Sequence, residues 1–160
     1  MKYQRFIYYL FFIIIFNCAG NEAYKDDSNI LLDNAMILFN KQKFSKAQEK
    51  FEFIIYNNPG STAALKSQYY LAECLYNLES YSDASKQYDK YIMLSQDSEL
   101  VTKAKFLICK CLYKLSSDYN KDQSEASFTI DRIQYFLEEY PVSSHREECE
   151  NMISNLRSKL

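Results

Sequence analysis

Residues 66–78, KSQYYLAECLYNL, recur 37 positions later as residues 103–115, KAKFLICKCLYKL. The two stretches share several lysine, aromatic, cysteine and leucine positions. A second pair, FSKAQEKFEFIIYNNP ending at Pro59 and YSDASKQYDKYIMLSQ ending at Gln96, shows the same step of 37 residues. Periods of about 20–50 residues indicate stacked structural units, and a unit of about 34 residues with two helices is typical of the tetratricopeptide repeat.

Composition and spacing both favour helices within these units. Apolar residues recur at i, i+4 and i+7, as at Ala47, Phe51 and Ile54. The 160 residues include only two Gly and two Pro, fewer than a protein rich in β-hairpins needs for its turns. The sequence therefore predicts an all-α fold, a tetratricopeptide-repeat α-solenoid of antiparallel helix pairs, preceded by an N-terminal signal helix.

The repeat boundaries follow from the same step. We assign a tetratricopeptide-repeat domain to residues 28–160, with repeats at about 28–61, 65–98 and 100–142 and a partial repeat at 144–160. The third repeat contains eight additional residues, which we place in the polar stretch 116–125, SSDYNKDQSE, as a surface loop. Capping-box patterns that start at Ser45 and Ser144 predict that helices begin there.

The N-terminal segment has the features of an export signal. Lys2 and Arg5 precede an apolar run of 11 residues, 6–16, which is shorter than the roughly 20 residues that span a bilayer. The run meets Cys18 in the stretch IFNCA, which resembles the lipobox of bacterial lipoproteins. The sequence predicts a lipoprotein signal peptide over 1–17, lipid attachment at Cys18 and a linker over 18–27. An uncleaved signal anchor is the alternative.

Four further cysteines follow Cys18. Cys74 and Cys111 occupy the same position in successive repeats, and Cys109 takes the small-residue position that Ala35 and Ala72 fill in the earlier repeats. We expect these cysteines to be buried as small side chains. A Cys74–Cys111 disulfide in an oxidising compartment is the alternative that the sequence leaves open.

The residue inventory argues against several classes of function. The formal net charge is −2, whereas nucleic-acid binding favours a basic face. His145 is the only histidine, and we expect it at the surface near a helix start. No phosphate-binding glycine loop and no Ser/His/Asp arrangement is visible in the sequence. We therefore predict no catalytic residues, metal, cofactor or small-molecule substrate.

A peptide-binding groove is the remaining candidate site. In a stack of helical hairpins the first helix of each pair lines the concave side. Aromatic rings there would contact an extended peptide, and asparagine side chains would bond to its backbone. Packing of each ring against the neighbouring second helix is the alternative. The predicted groove residues are Phe39, Asn40, Tyr69, Glu73, Tyr76, Asn77, Phe106, Lys110, Tyr113 and Lys114.

Several stretches together carry a family resemblance. They are the lipobox-like Cys18, the repeats that begin soon after it, FSKAQEKFEFIIYNNPGS, and the final stretch RIQYFLEEYPVSSHREECENMISNLRSKL. In these features the chain resembles the BamD family of outer-membrane assembly lipoproteins. Relative to that family, the chain is expected to be truncated within its fourth repeat.

The resemblance implies a location and a role. Such proteins are anchored by lipid on the periplasmic face of the outer membrane, which Ala19 after the cysteine also favours. They bind the barrel-forming assembly protein mainly through C-terminal repeats, and N-terminal repeats are implicated in receiving unfolded barrel substrates. The alternative is a periplasmic tetratricopeptide protein of cell-envelope or division complexes of the Tol–Pal type. Such proteins usually carry an N-terminal coiled coil and evenly spaced repeats, and the sequence shows neither.

Overall fold

A computed structural model describes residues 27–116 and 123–160 as helices joined by short connections. The predicted signal peptide, Cys18 and most of the predicted surface loop lie outside the described residues. The described residues form seven helices and no strand. In chain order these are α1 (Asp27–Asn40), α2 (Phe44–Asn57), α3 (Thr62–Asn77), α4 (Tyr81–Leu94), α5 (Ser98–Ser116), α6 (Gln123–Glu139) and α7 (Arg146–Arg157).

The helices stack as pairs. Each helix packs on the next one in the chain, α1 also packs on α3, and α5 also packs on α7. This arrangement confirms the predicted all-α class and the stacked helix pairs of an α-solenoid. None of the described helices combines the length and the apolar character that a membrane span requires.

Small residues and large rings alternate in the core. Ala35, Ala47, Ala72 and Ala84 are completely buried, which lets paired helices approach closely. The Phe51 ring of α2 fills the space that this leaves, because it stacks on Tyr70 of α3 with the ring centroids 5.8 Å apart. The repeated small positions therefore set the helix spacing, and the rings join one pair to the next.

Two of the turns between paired helices are the same Schellman motif. After α1, the Gln42 N–H donates to the Phe39 carbonyl and the Lys43 N–H donates to the Leu38 carbonyl. The turn after α3 contains the same two bonds 37 residues later. The Glu79 N–H donates to the Tyr76 carbonyl, and the Ser80 N–H donates to the Leu75 carbonyl. Gln42 and Glu79 have φ of 57° and 62°, a left-handed conformation that normally favours glycine.

Helix starts differ from the predicted capping boxes. Ser45 lies inside α2, whose N-cap is Lys43 without a side-chain bond. His145, rather than Ser144, is the N-cap of α7, and it likewise makes no side-chain cap bond. Side-chain caps are instead at Ser61, where the hydroxyl accepts the Ala64 N–H at 3.0 Å at the start of α3, and at Asp97, where the carboxylate accepts the Leu100 N–H at 3.1 Å at the start of α5. The two predicted capping boxes are therefore wrong.

The left-handed turn residue gives a stability prediction. Replacing Glu79 by glycine should raise the free energy of unfolding by about 0.5–1 kcal/mol, because relief of the left-handed strain exceeds the entropy cost of glycine. Urea unfolding measures the change. The control Glu49→Gly, at an exposed position within α2, should lower stability by about 1 kcal/mol. Equal losses in both variants would contradict the role assigned to the turn.

Candidate functional site

The first helices of the pairs form one surface, which we call the first-helix face and which is built by α1, α3, α5 and α7. Side chains bridge α3 and α5 across it. The Lys103 Nζ lies 5.8 Å from the centroid of the Tyr69 ring, and the Lys110 Nζ lies 6.0 Å from that of Tyr76. These cation–π contacts hold neighbouring repeats together on the face where the groove was predicted.

Lys110 is the centre of a network that spans three helices. Its Nζ is 2.9 Å from the Glu148 carboxylate of α7 and 5.6 Å from the Phe106 ring centroid. Partial burial lowers the pKa of Lys110, but the hydrogen bond to Glu148 and the negative charges of Glu148 and Glu73 outweigh it, so the pKa is raised. The contact with Glu148 and the charge of Glu73 thus favour the charged form of Lys110.

Two of the predicted groove rings are buried. Tyr69 and Phe106 are 6% and 3% exposed, and they contact Tyr88 and Phe136 of the second helices. Phe39 is half-buried against three rings, those of Phe44, Phe51 and Tyr70. For these three positions the structure shows the packing against neighbouring helices that the sequence had left as an alternative.

Two other rings remain half-exposed on the first-helix face. Tyr76 packs edge-on against Tyr81 with the centroids 5.3 Å apart, and the Tyr113 hydroxyl accepts the Asn155 side-chain N–H at 3.4 Å. Both keep part of their surface in contact with solvent. Burial raises the pKa of Tyr76 although Lys110 opposes the shift. Like Phe39, these two predicted groove rings therefore keep surface that a ligand can reach.

The predicted polar groups of the groove differ in their exposure and in the hydrogen bonds that they already make. Asn40, Asn77 and Lys114 are exposed, although the Asn77 amide donates to the Glu73 carbonyl of its own helix at 2.7 Å. Glu73 itself is half-buried. Together with burial, its carboxylate raises the pKa of the Tyr69 and Tyr88 hydroxyls, neither of which has a well-formed hydrogen bond within the described part of the chain.

A small cavity opens on the first-helix face between α1, α3 and α5. Its volume is about 290 Å³, and the buried Tyr69 lies at its wall beside Lys66 and Asp33. An apolar cavity with opposite charges in its lining suits a polar group of a bound chain. The lining residues are Leu32, Asp33, Met36, Lys66, Tyr69, Tyr70, Tyr91 and Leu100.

A larger cavity lies elsewhere, between α6 and α7. It measures about 650 Å³ and has an apolar floor that includes Leu137 and Ile153. Arg146 and Glu150, which form an ion pair at 2.9 Å, lie on its charged rim. None of the predicted groove residues lines it, so size alone does not locate the candidate site.

Three residues of α7 and its N-cap were missed as parts of this face. His145, predicted at the surface, is half-buried and stacks on Phe106 with the centroids 3.9 Å apart and the rings nearly parallel, at 2°. Glu148 and Asn155 contact Lys110 and Tyr113. The repeat step gave no signal for these contacts, because 37 residues after Lys110 it leads to Glu147 and not to Glu148.

The cysteines are buried, as the sequence predicts. Cys74, Cys109, Cys111 and Cys149 are free thiols in the core, so the Cys74–Cys111 disulfide is not formed. Burial raises the pKa of Cys74, Cys109 and Cys111 to about 12. The described residues contain no cluster of three or more His, Cys, Asp or Glu side chains suited to a metal ion.

The amino-acid sequence of the chain matches a protein-family model. The model of the YfiO outer membrane lipoproteins covers residues 25–160. The chain belongs to this family. The match confirms the resemblance to BamD-type lipoproteins and supports an association with the outer membrane. No curated protein matches the chain.

The stack of His145 on Phe106 predicts a pH dependence. Burial lowers the pKa of His145 below 6.5, and Lys103 and Lys110 add to this while Glu148 opposes it. The folded state therefore binds the proton less readily than the unfolded state. The contribution of His145 to the free energy of unfolding is therefore complete above its pKa in the unfolded chain. That contribution is lost as the pH falls through its lower pKa in the folded chain.

The variant His145→Phe keeps an aromatic ring on Phe106 and removes the titration. Between about pH 7.5 and about pH 5.5, the melting temperature should fall less in this variant than in the wild type. Carboxylates titrate in both proteins, so the difference between the two curves isolates His145. An equal or larger fall in the variant would contradict the assigned pKa direction.

Proposed function

We propose that the chain is a non-enzymatic, lipid-anchored scaffold of the β-barrel assembly machinery at the periplasmic face of the outer membrane. In this role it helps to insert barrel proteins by binding the barrel-forming assembly protein and segments of unfolded substrates. The observation that carries the proposal is the family match over residues 25–160. The stacked helices and their first-helix face supply a surface suited to such binding.

The proposed mechanism is recognition of an extended peptide on the first-helix face. The half-exposed rings of Tyr76 and Tyr113 offer apolar contact, and Lys110 between Glu73 and Glu148 fixes a pattern of alternating charge across α3, α5 and α7. The cavity beside Tyr69 accepts one side chain or polar group of the peptide. Phe39 and Phe106 support this surface from the core side, because their rings pack together the helices that present these groups.

Amphipathic rings suit substrates that have not yet folded. Segments of a barrel protein alternate between apolar and polar residues, and a tyrosine ring contacts both kinds at low entropy cost. Alternating carboxylate and ammonium groups add weak polar contacts without a deep pocket. Such a surface holds many sequences loosely, which matches the release that assembly requires.

Removal of the two accessible rings tests this surface. The variant Tyr76→Ala with Tyr113→Ala should weaken binding of an unfolded barrel polypeptide about five- to thirtyfold, because loss of two contact rings costs roughly 1–2 kcal/mol. Fluorescence anisotropy of a labelled polypeptide measures the affinity. The matched control removes Tyr56 and Tyr135, which are 85% and 60% exposed on second helices. Unchanged affinity in the first variant, with its helix content intact, would reject the groove.

The anchor and the partner are tested in cells. The variant Cys18→Ala should remain unprocessed and leave the outer-membrane fraction, whereas the wild type should be cleaved and acylated. If both chains remain uncleaved and fractionate alike, the lipid attachment is wrong.

Affinity capture from envelope extracts should recover the barrel-forming assembly protein; recovery of Tol–Pal components without it would favour the alternative function.

A further inference from the structure

The first helix pair exposes a surface that neither the groove nor the core uses. We call it the basic edge and define it by eight exposed residues on α1, α2 and the turn between them. It combines four lysines with three large apolar side chains. Its members are Ile30, Asn34, Ile37, Lys41, Lys43, Lys46, Lys50 and Phe53.

Helix geometry places the basic edge on the side turned away from α3. Ile55 of α2 lines a cavity with Leu65 and Gln68 of α3, and Phe53 precedes it by two residues, about 200° around the helix. In α1, Leu32 faces α3 across another cavity, and Ile30 again lies two residues earlier. Among the described residues, the edge therefore lies at the end of the stack that α3 does not cover.

The residues of the basic edge form one stripe along α1 and another along α2, and the members of each stripe recur at helical spacing. Lys43, Lys46, Lys50 and Phe53 are spaced by three or four residues along one side of α2, and no acidic residue interrupts them. Ile30, Asn34, Ile37 and Lys41 do the same on α1. Acidic groups lie beside the two stripes and not within them: Asp27 and Asp33 on α1, and Glu49 and Glu52 on α2.

The apolar side chains on this edge are large and open to solvent. Ile30, Ile37 and Phe53 are 54%, 50% and 52% exposed. Within the described residues, no ion pair involves Lys41, Lys43, Lys46 or Lys50. Unpaired cations beside exposed apolar groups are the combination that binds an anionic lipid surface, where the apolar groups enter the headgroup region and the ammonium groups meet phosphates.

We propose that the basic edge docks on an anionic phospholipid surface and so fixes the orientation of the solenoid on its membrane. The proposal extends the anchoring proposed above. α1 begins nine residues after Cys18, and nine residues reach at most about 30 Å, so a lipid at Cys18 keeps this edge within reach of the bilayer. A second copy of the chain is a poorer occupant, because a two-fold contact would oppose four lysines to the same four.

The chain offers a clean optical test, since it contains no tryptophan. Phe53→Trp places a single indole on the basic edge. Tyr135→Trp is the matched reporter, because it replaces another exposed aromatic residue on a distant second helix. The full-length anchored chain is reconstituted in vesicles of phosphatidylcholine, alone or mixed with phosphatidylglycerol, and brominated lipids serve as quenchers.

The proposal expects a blue shift and quenching of the Phe53→Trp reporter in the anionic vesicles, and an aqueous spectrum for Tyr135→Trp. Adding Lys46→Gln and Lys50→Gln should lower the ratio of docked to free edge about thirtyfold. Adding Lys86→Gln and Lys90→Gln, the same charge change at the same helical spacing on α4, should leave the ratio unchanged.

Three results would overturn the docking. The Phe53→Trp reporter could remain aqueous in anionic vesicles, both reporters could respond alike, or both lysine pairs could have the same effect. A shift that grows with protein concentration without vesicles would assign the edge to self-association instead. Sedimentation with the vesicles distinguishes failure of the lipid anchor from failure of the docking. If the chain sediments with both vesicle types while the Phe53→Trp reporter stays aqueous, the anchor holds and only the docking is rejected.

Discussion

The stacking of Phe51 on Tyr70 is the contact on which the described architecture depends. The ring is completely buried, and it belongs to the second helix of one pair while its partner belongs to the first helix of the next. Phe39 of the first helix closes the cluster from the other side. One repeat later, Tyr88 occupies the equivalent position on α4, where its buried ring packs on Tyr69 of α3 within the same pair. Burial of these rings converts separate hairpins, which could not bury their apolar faces alone, into a continuous core.

The first-helix face follows from this packing. Because the buried rings fix how one pair sits on the next, Lys110 of α5 comes to lie between Tyr76 of α3 and Glu148 of α7. The same packing leaves Tyr76 and Tyr113 accessible, while it draws Tyr69 and Phe106 inward. Charge and aromatic surface are therefore arranged across several helices rather than within one motif. This arrangement is the physical basis for the peptide binding that we propose for the face.

Much of the fold could be predicted from the sequence because the buried positions recur at a fixed interval along the chain. The 37-residue step identified the buried positions of Ala47, Ala84, Cys74 and Cys111 without any knowledge of three-dimensional contacts. The depth of each groove ring was not accessible, since Tyr69 and Tyr76 lie on the same side of α3 and differ only in how α4 and α5 approach them. The turns at Gln42 and Glu79 were missed because no glycine marks their left-handed conformation, and the stack of His145 on Phe106 depends on where α7 docks.

Truncation of the buried ring at position 51 is the measurement that tests the stack most directly. Phe51 and Phe53 lie two residues apart on α2, and they are 0% and 52% exposed. Urea unfolding should show that Phe51→Ala lowers the free energy of unfolding by about 3–5 kcal/mol, whereas Phe53→Ala changes it by no more than about 0.5 kcal/mol. Similar effects of the two substitutions would mean that the first and second helix pairs are not joined through this ring, and the account of the stacked pairs would be wrong.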